Sequence, residues 1–108
     1  MAQAVTYTRF GGPEVLALGE IEVPAPGEGQ VHVRVSAVGV NPIDHKLRAG
    51  IRPSATIARP RRIGSDGAGV VLEVGAGVEG FRVGDEVVVF GASGVYATDI
   101  VVAAEKLA

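Results

Sequence analysis

Alternation is clearest between residues 31 and 37, where Val31, Val33, Val35 and Ala37 interleave with His32, Arg34 and Ser36. A period of two buries one set and leaves the other in water, so the segment reads as a strand with one wet face. Residues 2–8 and 15–23 read as two earlier strands. Gly11-Gly12-Pro13 ends the first, and Pro24-Ala25-Pro26-Gly27-Glu28-Gly29 breaks the second, since proline lacks the donor a ladder needs. Strand signals return at 67–74, after Gly64-Ser65-Asp66, and a turn rich in glycine covers Gly75 to Gly80. Val83-Gly84-Asp85 then turns into Glu86-Val87-Val88-Val89-Phe90, whose apolar residues fall on both faces and predict a central strand. A last strand is expected from about Tyr96 to Val102.

One stretch changes period. Asn41-Pro42-Ile43-Asp44-His45-Lys46-Leu47-Arg48-Ala49-Gly50 reads as a short helix with Asn41 at the N-cap, Pro42 at the first helical position and Gly50 just past the end. Ile43 and Leu47, four apart, are expected to share its buried face. Asp44 suits a capping arrangement and can also pair with Arg48. Residues 51–63 read as an irregular loop. From Lys46 to Arg62 the chain carries Lys46, Arg48, Arg52, Arg59, Arg61 and Arg62 with no acid among them. Many short strands, frequent glycine turns and one short helix predict a mainly β domain, a small and partly open barrel.

Composition narrows the function more than the fold. A length of 108 residues suits one domain. The 16 glycines favour tight turns between short strands over long helices. A formal net charge of −2 disfavours nucleic acid or an acidic membrane as a partner. No apolar run approaches the roughly 20 residues that span a bilayer. The start Met-Ala-Gln-Ala-Val-Thr-Tyr lacks the basic and apolar regions of a secretion signal, so a cytoplasmic protein is expected. With no cysteine, disulfides and thiolate zinc sites are excluded.

Four stretches in this order resemble the medium-chain dehydrogenase/reductase superfamily, in its quinone and oxoene reductase branch. They are Phe10-Gly11-Gly12-Pro13-Glu14-Val15-Leu16, the segment from Ala37 to Gly50, Ile63-Gly64-Ser65-Asp66-Gly67-Ala68-Gly69-Val70-Val71, and the segment from Gly75 to Val87. The resemblance implies a GroES-like substrate domain over 1–108, followed in the whole protein by a Rossmann domain that binds NADPH. The spaced glycines of Gly64 to Gly69 lead into a strand instead of opening a helix, so they do not read as a dinucleotide fingerprint. On this reading the 108 residues are truncated, and alone they would be inactive, bind NADPH weakly or not at all, and tend to self-associate. The family's zinc members place cysteine where Asn41 stands and a His-Glu pair where Ser65-Asp66 stands. Asn41 and Ser65 are poor ligands, so no zinc is expected.

The same resemblance implies the site. Asn41 lines the pocket for nicotinamide and substrate. Lys46, in the pattern Asn-Pro-x-Asp-x-Lys, meets the substrate carbonyl and stabilises the oxyanion formed after hydride addition. Asp44 stands with them as a catalytic candidate, although structural duty explains it as well. His45, Ser65 and Asp66 are candidates for the substrate pocket, Ser65 and Asp66 being equally at home in a turn that leads into a strand. His32, on a polar strand face, reads as exposed. The basic stretch from Arg52 to Arg62 reads as a wet loop, or instead as a segment that attracts the cofactor phosphates or closes over the site.

The expected activity is NADPH-dependent reduction of a quinone or an enone, in a homo-oligomer, a dimer in full-length form. Two rivals remain: an enoyl-thioester reductase of the same superfamily, and a binding or assembly module like the co-chaperonin that shares the barrel. The second needs a mobile loop with an apolar anchor, and the 51–63 segment offers only Ile51, Ile57 and Ile63.

Overall fold

The computed structural model describes residues 2–50, 57 and 59–108. In chain order the strands are β1 (Ala2–Tyr7), β2 (Ala17–Ile21), β3 (Gln30–Gly39), β4 (Arg61–Arg62), β5 (Asp66–Val74), β6 (Glu86–Val89) and β7 (Asp99–Ala103). Helix α1 (Pro42–Ala49) lies between β3 and β4. A three-stranded sheet has the order β2-β1-β4 and a four-stranded sheet the order β6-β5-β3-β7. Every pairing is antiparallel.

The strip 96–98 stitches the two sheets into a partly open barrel. Val5 N–H donates to the Tyr96 carbonyl at 2.9 Å, and Thr98 N–H to the Gln3 carbonyl at 2.8 Å. On the other side Val35 N–H donates to the Thr98 carbonyl at 2.8 Å. These bonds explain why the last strand begins at Asp99 and not at Tyr96. Residues 96–98 serve both sheets and belong to neither ladder.

The core is built from small branched side chains. Val31, Val33, Val71, Val87, Val89, Val95, Ile100, Val102 and Leu107 form one cluster. Tyr7, Val15 and Ile63 form a second, with Phe10, Leu16 and Tyr96 packed against it. The alternation of β3 holds at Val31 and Val33, both fully buried, but fails at Ala37, which is exposed. The register with β5 shifts between Val35 and Ala37, where the extra residue breaks the ladder, and Ala37 and Val38 beyond it are both exposed.

Several expectations need correction. The second strand is shorter than 15–23, because Pro13–Val15 form a single 3₁₀ turn before β2. β6 is not central but outermost in its sheet. Val87 and Val89 face the core, whereas Val88 and Phe90 stand about half exposed. The outer edge of β6 pairs with the chain end: Val88 N–H donates to the Ala108 carbonyl and Ala108 N–H to that of Val88. An apolar strip on the wet face therefore mimicked a second buried face. Within the expected 51–63 loop, Arg61–Arg62 form β4 against Thr6 and Tyr7. Residues 51–56 and 58, with Arg52 and Ile51, lie outside the described residues.

Candidate functional site

α1 begins as its sequence predicts. Asn41 has extended backbone (φ −117°, ψ 152°), Pro42 takes the first position, and Gly50 ends the helix in the left-handed region (φ 85°) with its N–H on the carbonyls of Lys46 and Leu47. Glycine adopts that conformation without a Cβ penalty. Asp44 returns a capping bond, its Oδ2 accepting the Asn41 N–H at 2.9 Å.

The face that α1 turns inward is not the expected one. Ile43 and Leu47 remain 37% and 38% exposed, while Asp44 is 4% exposed. Asp44 pays for its burial with a second partner, since the same oxygen accepts the Tyr96 hydroxyl at 2.7 Å. Arg48 does not pair with Asp44 but donates from Nε to the Gly11 carbonyl at 3.2 Å, and Gly11 N–H returns a bond to the Arg48 carbonyl. Polar bonds at both ends thus dock the helix, which explains why its apolar residues need not be covered.

The network continues to β5. Asn41 Nδ2 donates to Asp66 Oδ2 at 2.8 Å, and Asp66 Oδ1 accepts the Gly91 N–H at 3.2 Å. Tyr96, Asp44, Asn41 and Asp66 are therefore one hydrogen-bonded chain across three separate segments. Burial, then the hydrogen bond and charge of Asp44, push the Tyr96 hydroxyl up to about 12, with Arg48 pulling weakly the other way. A folded-state value above the ordinary 10 means that this contribution is fully present below pH 10 and is lost as pH rises through about 12.

Beside this chain lies a cavity of about 160 Å3 between α1 and the 92–94 turn, bordered by Ile43, Asp44, Leu47, Arg62 and Ser65. Of the residues chosen from sequence, Asp44 and Ser65 border it, while Asn41 and Asp66 join Asp44 through hydrogen bonds without lining it. Lys46 and His45 do not line it; both are exposed, on other faces of α1. Sequence reasoning missed Tyr96 and Arg62. Tyr96 carried no signal beyond a tyrosine near a strand start. Arg62 was hidden in a basic run that looked uniformly wet, yet its guanidinium is partly buried, Nη2 donating to the Gly94 carbonyl at 2.7 Å, and burial lowers its pKa.

A larger groove, about 860 Å3, holds none of the chosen residues; its charges include Glu22, His32, Arg34 and Asp99. His32 is not simply exposed, for Nε2 meets Asp99 Oδ2 at 2.8 Å. Burial by itself would raise the Asp99 carboxyl, but hydrogen bonds from His32 and Thr98 and the charges of His32 and Arg34 outweigh it and hold the group below its ordinary 3.8. A depressed carboxyl stabilises the fold above its unfolded value and stops doing so as pH falls through the lower folded value. Asp99→Asn should cost about 1 kcal/mol at pH 7, as expected of a part-exposed pair. The melting temperatures of variant and wild type should converge below pH 3.8. A constant gap from pH 7 down to pH 2 would remove this linkage.

Among the described residues there is no cluster of three or more His, Cys, Asp or Glu side chains able to hold a metal. No helix among them is long and apolar enough to cross a membrane.

Comparison with known proteins identifies the fold and its family. Residues 27–108 match the family model of the alcohol dehydrogenase GroES-like domain. A quinone oxidoreductase of Pseudomonas aeruginosa is 41% identical over 99% of the chain, and one of Rattus norvegicus 44% identical over 90%. The solved quinone oxidoreductase of Pseudomonas syringae superposes on the whole chain with a TM-score of 0.89 at 39% identity, covering 33% of that protein. That of Escherichia coli, solved in complex with NADPH, gives 0.87 at 33% identity over 98% of this chain and 32% of its own. The chain spans about a third of the length of the curated relatives it matches. On the family match and these likenesses together, the chain belongs to the alcohol dehydrogenase GroES-like domain family, in the quinone oxidoreductase branch of the medium-chain dehydrogenase/reductase superfamily.

Proposed function

We propose that the protein carrying this domain reduces a quinone or an α,β-unsaturated carbonyl compound by two-electron hydride transfer, with NADPH as donor and without zinc. Residues 1–108 are its substrate domain, and a dinucleotide-binding domain follows them. The observation that carries the reading is the bonded Asn41–Asp66 pair at the mouth of α1, in a chain 41% identical to a quinone oxidoreductase. Where the family's zinc members have ligands, an amide and a carboxylate here hold one another at 2.8 Å.

The domain supplies little of the cofactor site by itself. Gly67 and Gly69 lie inside β5, and that strand, not a helix, follows Gly64, so these glycines set no helix N-terminus against a pyrophosphate. NADPH, when bound, supplies the hydride. Asn41, oriented by Asp66, lines the place of the nicotinamide and helps hold it. The exposed Lys46 offers an ammonium to the acceptor oxygen as negative charge develops there. Asp44 keeps the first turn of α1 in place. Protein groups thus contribute position and electrostatics, and no covalent intermediate is needed. Assembly into a homo-oligomer belongs to the whole protein.

In the full-length protein, Lys46→Met should lower kcat/KM at least about tenfold, near 1.4 kcal/mol of transition-state binding. Steady-state rates with NADPH and a panel of quinones and enones measure this. Unchanged kinetics would remove Lys46 from the mechanism, and no NADPH-dependent reduction of any member would end the reading. A second reading, reduction of an enoyl thioester, is favoured by the solved JamJ enoyl reductase, which superposes with a TM-score of 0.88 at 25% identity. A kcat/KM for enoyl-CoA far above that for the free enone would select it.

A further inference from the structure

We propose that Tyr96 is a positioning residue of the reductase site: its hydroxyl, acting through the Asp44 carboxylate, fixes where Asn41 stands. The start of α1 has little else to locate it. Ile43 and Leu47 are exposed, so apolar burial does not seat that end of the helix. Arg48 ties the helix to Gly11, but nearer its other end. Among the described residues, two side-chain bonds join the start of α1 to the barrel: Asn41 to Asp66 at 2.8 Å and Tyr96 to Asp44 at 2.7 Å. The first engages the carboxamide that the site needs. The second holds that carboxamide within reach, because the same Asp44 oxygen also accepts the Asn41 N–H at 2.9 Å.

The Tyr96 hydroxyl is itself a fixed point of the barrel. Its residue donates N–H to the Ile63 carbonyl at 3.0 Å, and its carbonyl accepts the Val5 N–H of β1 at 2.9 Å. The ring packs on Gly64, where a Cβ would collide with it and stand 3.0 Å from the Tyr96 nitrogen. Gly64 also has φ 98°, so both its backbone and its neighbour demand glycine. A ring and backbone held this way present the O–H with little left to order. Without that O–H, the Asp44 carboxylate is free to turn about its broad terminal torsion. The Asn41 N–H then loses an aligned acceptor, and the carboxamide drifts from Asp66. Displacement of about 1 Å at a reacting site can cost about a hundredfold in rate, so the loss of catalysis exceeds the loss of stability.

This role rests on the proposed reduction, in which Asn41 helps to hold the nicotinamide, and two measurements separate them. In the 108-residue chain, Tyr96→Phe should shift the 15N NMR signals of the Asn41 backbone N–H and Nδ2 group. The Gly11 amide, bonded to Arg48, should stay in place. In the full-length protein with NADPH and a quinone, Tyr96→Phe should lower kcat about tenfold, and Asn41→Ala at least as much. The double variant should match Asn41→Ala within about twofold, since a residue that acts through Asn41 then has nothing to position. Losses that multiply in the double variant, an unchanged kcat in Tyr96→Phe, or Asn41 signals that do not move each overturn the proposal. If the Asn41 signals move but the unaltered full-length protein reduces no quinone or enone, the positioning stands and the proposed reduction does not.

Discussion

Asp44→Ala should destabilise the domain by about 3 kcal/mol, because two part-buried donors lose one shared, charged acceptor. The Asp44 Oδ2 receives both the Asn41 N–H at 2.9 Å and the Tyr96 hydroxyl at 2.7 Å, in a side chain only 4% exposed. Alanine takes the acceptor from both donors and removes the return half of the cap. Tyr96→Phe is the matched control. It deletes one donor and keeps the acceptor paired with Asn41, so its cost should be about 1 kcal/mol. Urea unfolding of both variants at pH 7 reads the difference directly, as shifted midpoints at unchanged slope. The reverse order, with the phenylalanine variant the weaker of the two, would mean that Tyr96 packing and not Asp44 bonding docks the helix. The consequence for function follows from the same bonds: Asp44 ties down the backbone of Asn41 itself, so losing it loosens the Asn41–Asp66 contact as well.

Gly69→Ala should cost about 3 kcal/mol through overpacking. Gly69 lies in β5 opposite Val35 of β3. A Cβ there would collide with the Arg34 carbonyl oxygen and come within 2.8 Å of Val33 Cγ1. The first obstacle is backbone of a central strand, which cannot turn aside as the end of a side chain can. At about 4–8 °C per kcal/mol for a domain of this size, the loss of melting temperature is on the order of 15 °C. Gly19→Ala in β2 is the contrast, because a Cβ at Gly19 meets nothing within 4 Å. Similar melting temperatures for the two variants would show that β3 and β5 separate easily at their register shift. Asp66 opens the same strand, so a displaced β5 also moves the acceptor that Asn41 uses.

Local chemistry made much of this fold legible. The period of two in residues 31–35, the proline and glycine punctuation, and the capped helix with Asn41, Pro42 and Gly50 each depend on residues close in sequence, and each appears in the structure. The errors share a cause. Val88 and Phe90 look like core until the sheet order shows β6 at its edge. Ile43 and Leu47 look like the buried face of a helix until a tyrosine 52 residues beyond Asp44 supplies the bond that buries the acid instead. Arg61 and Arg62 look alike in sequence. In the structure Arg61 lies over the Phe10 ring, 5.4 Å from its centroid, while Arg62 turns inward to Gly94.

By itself the sequence determined the class of fold, the positions of most strands, the single helix with its caps, and the branch of the superfamily, because periodicity, turn chemistry and motif spacing are properties of neighbouring residues. Only the tertiary structure decided which candidates meet. Asp44 and Ser65 border a cavity, Asn41 and Asp66 are tied to Asp44 by hydrogen bonds, Lys46 and His45 lie exposed outside that cavity, and Tyr96 and Arg62 join from segments that gave no warning. Contacts between residues far apart in the chain depend on sheet order, on a one-residue register shift and on which buried polar group finds its partner, and no local pattern encodes those.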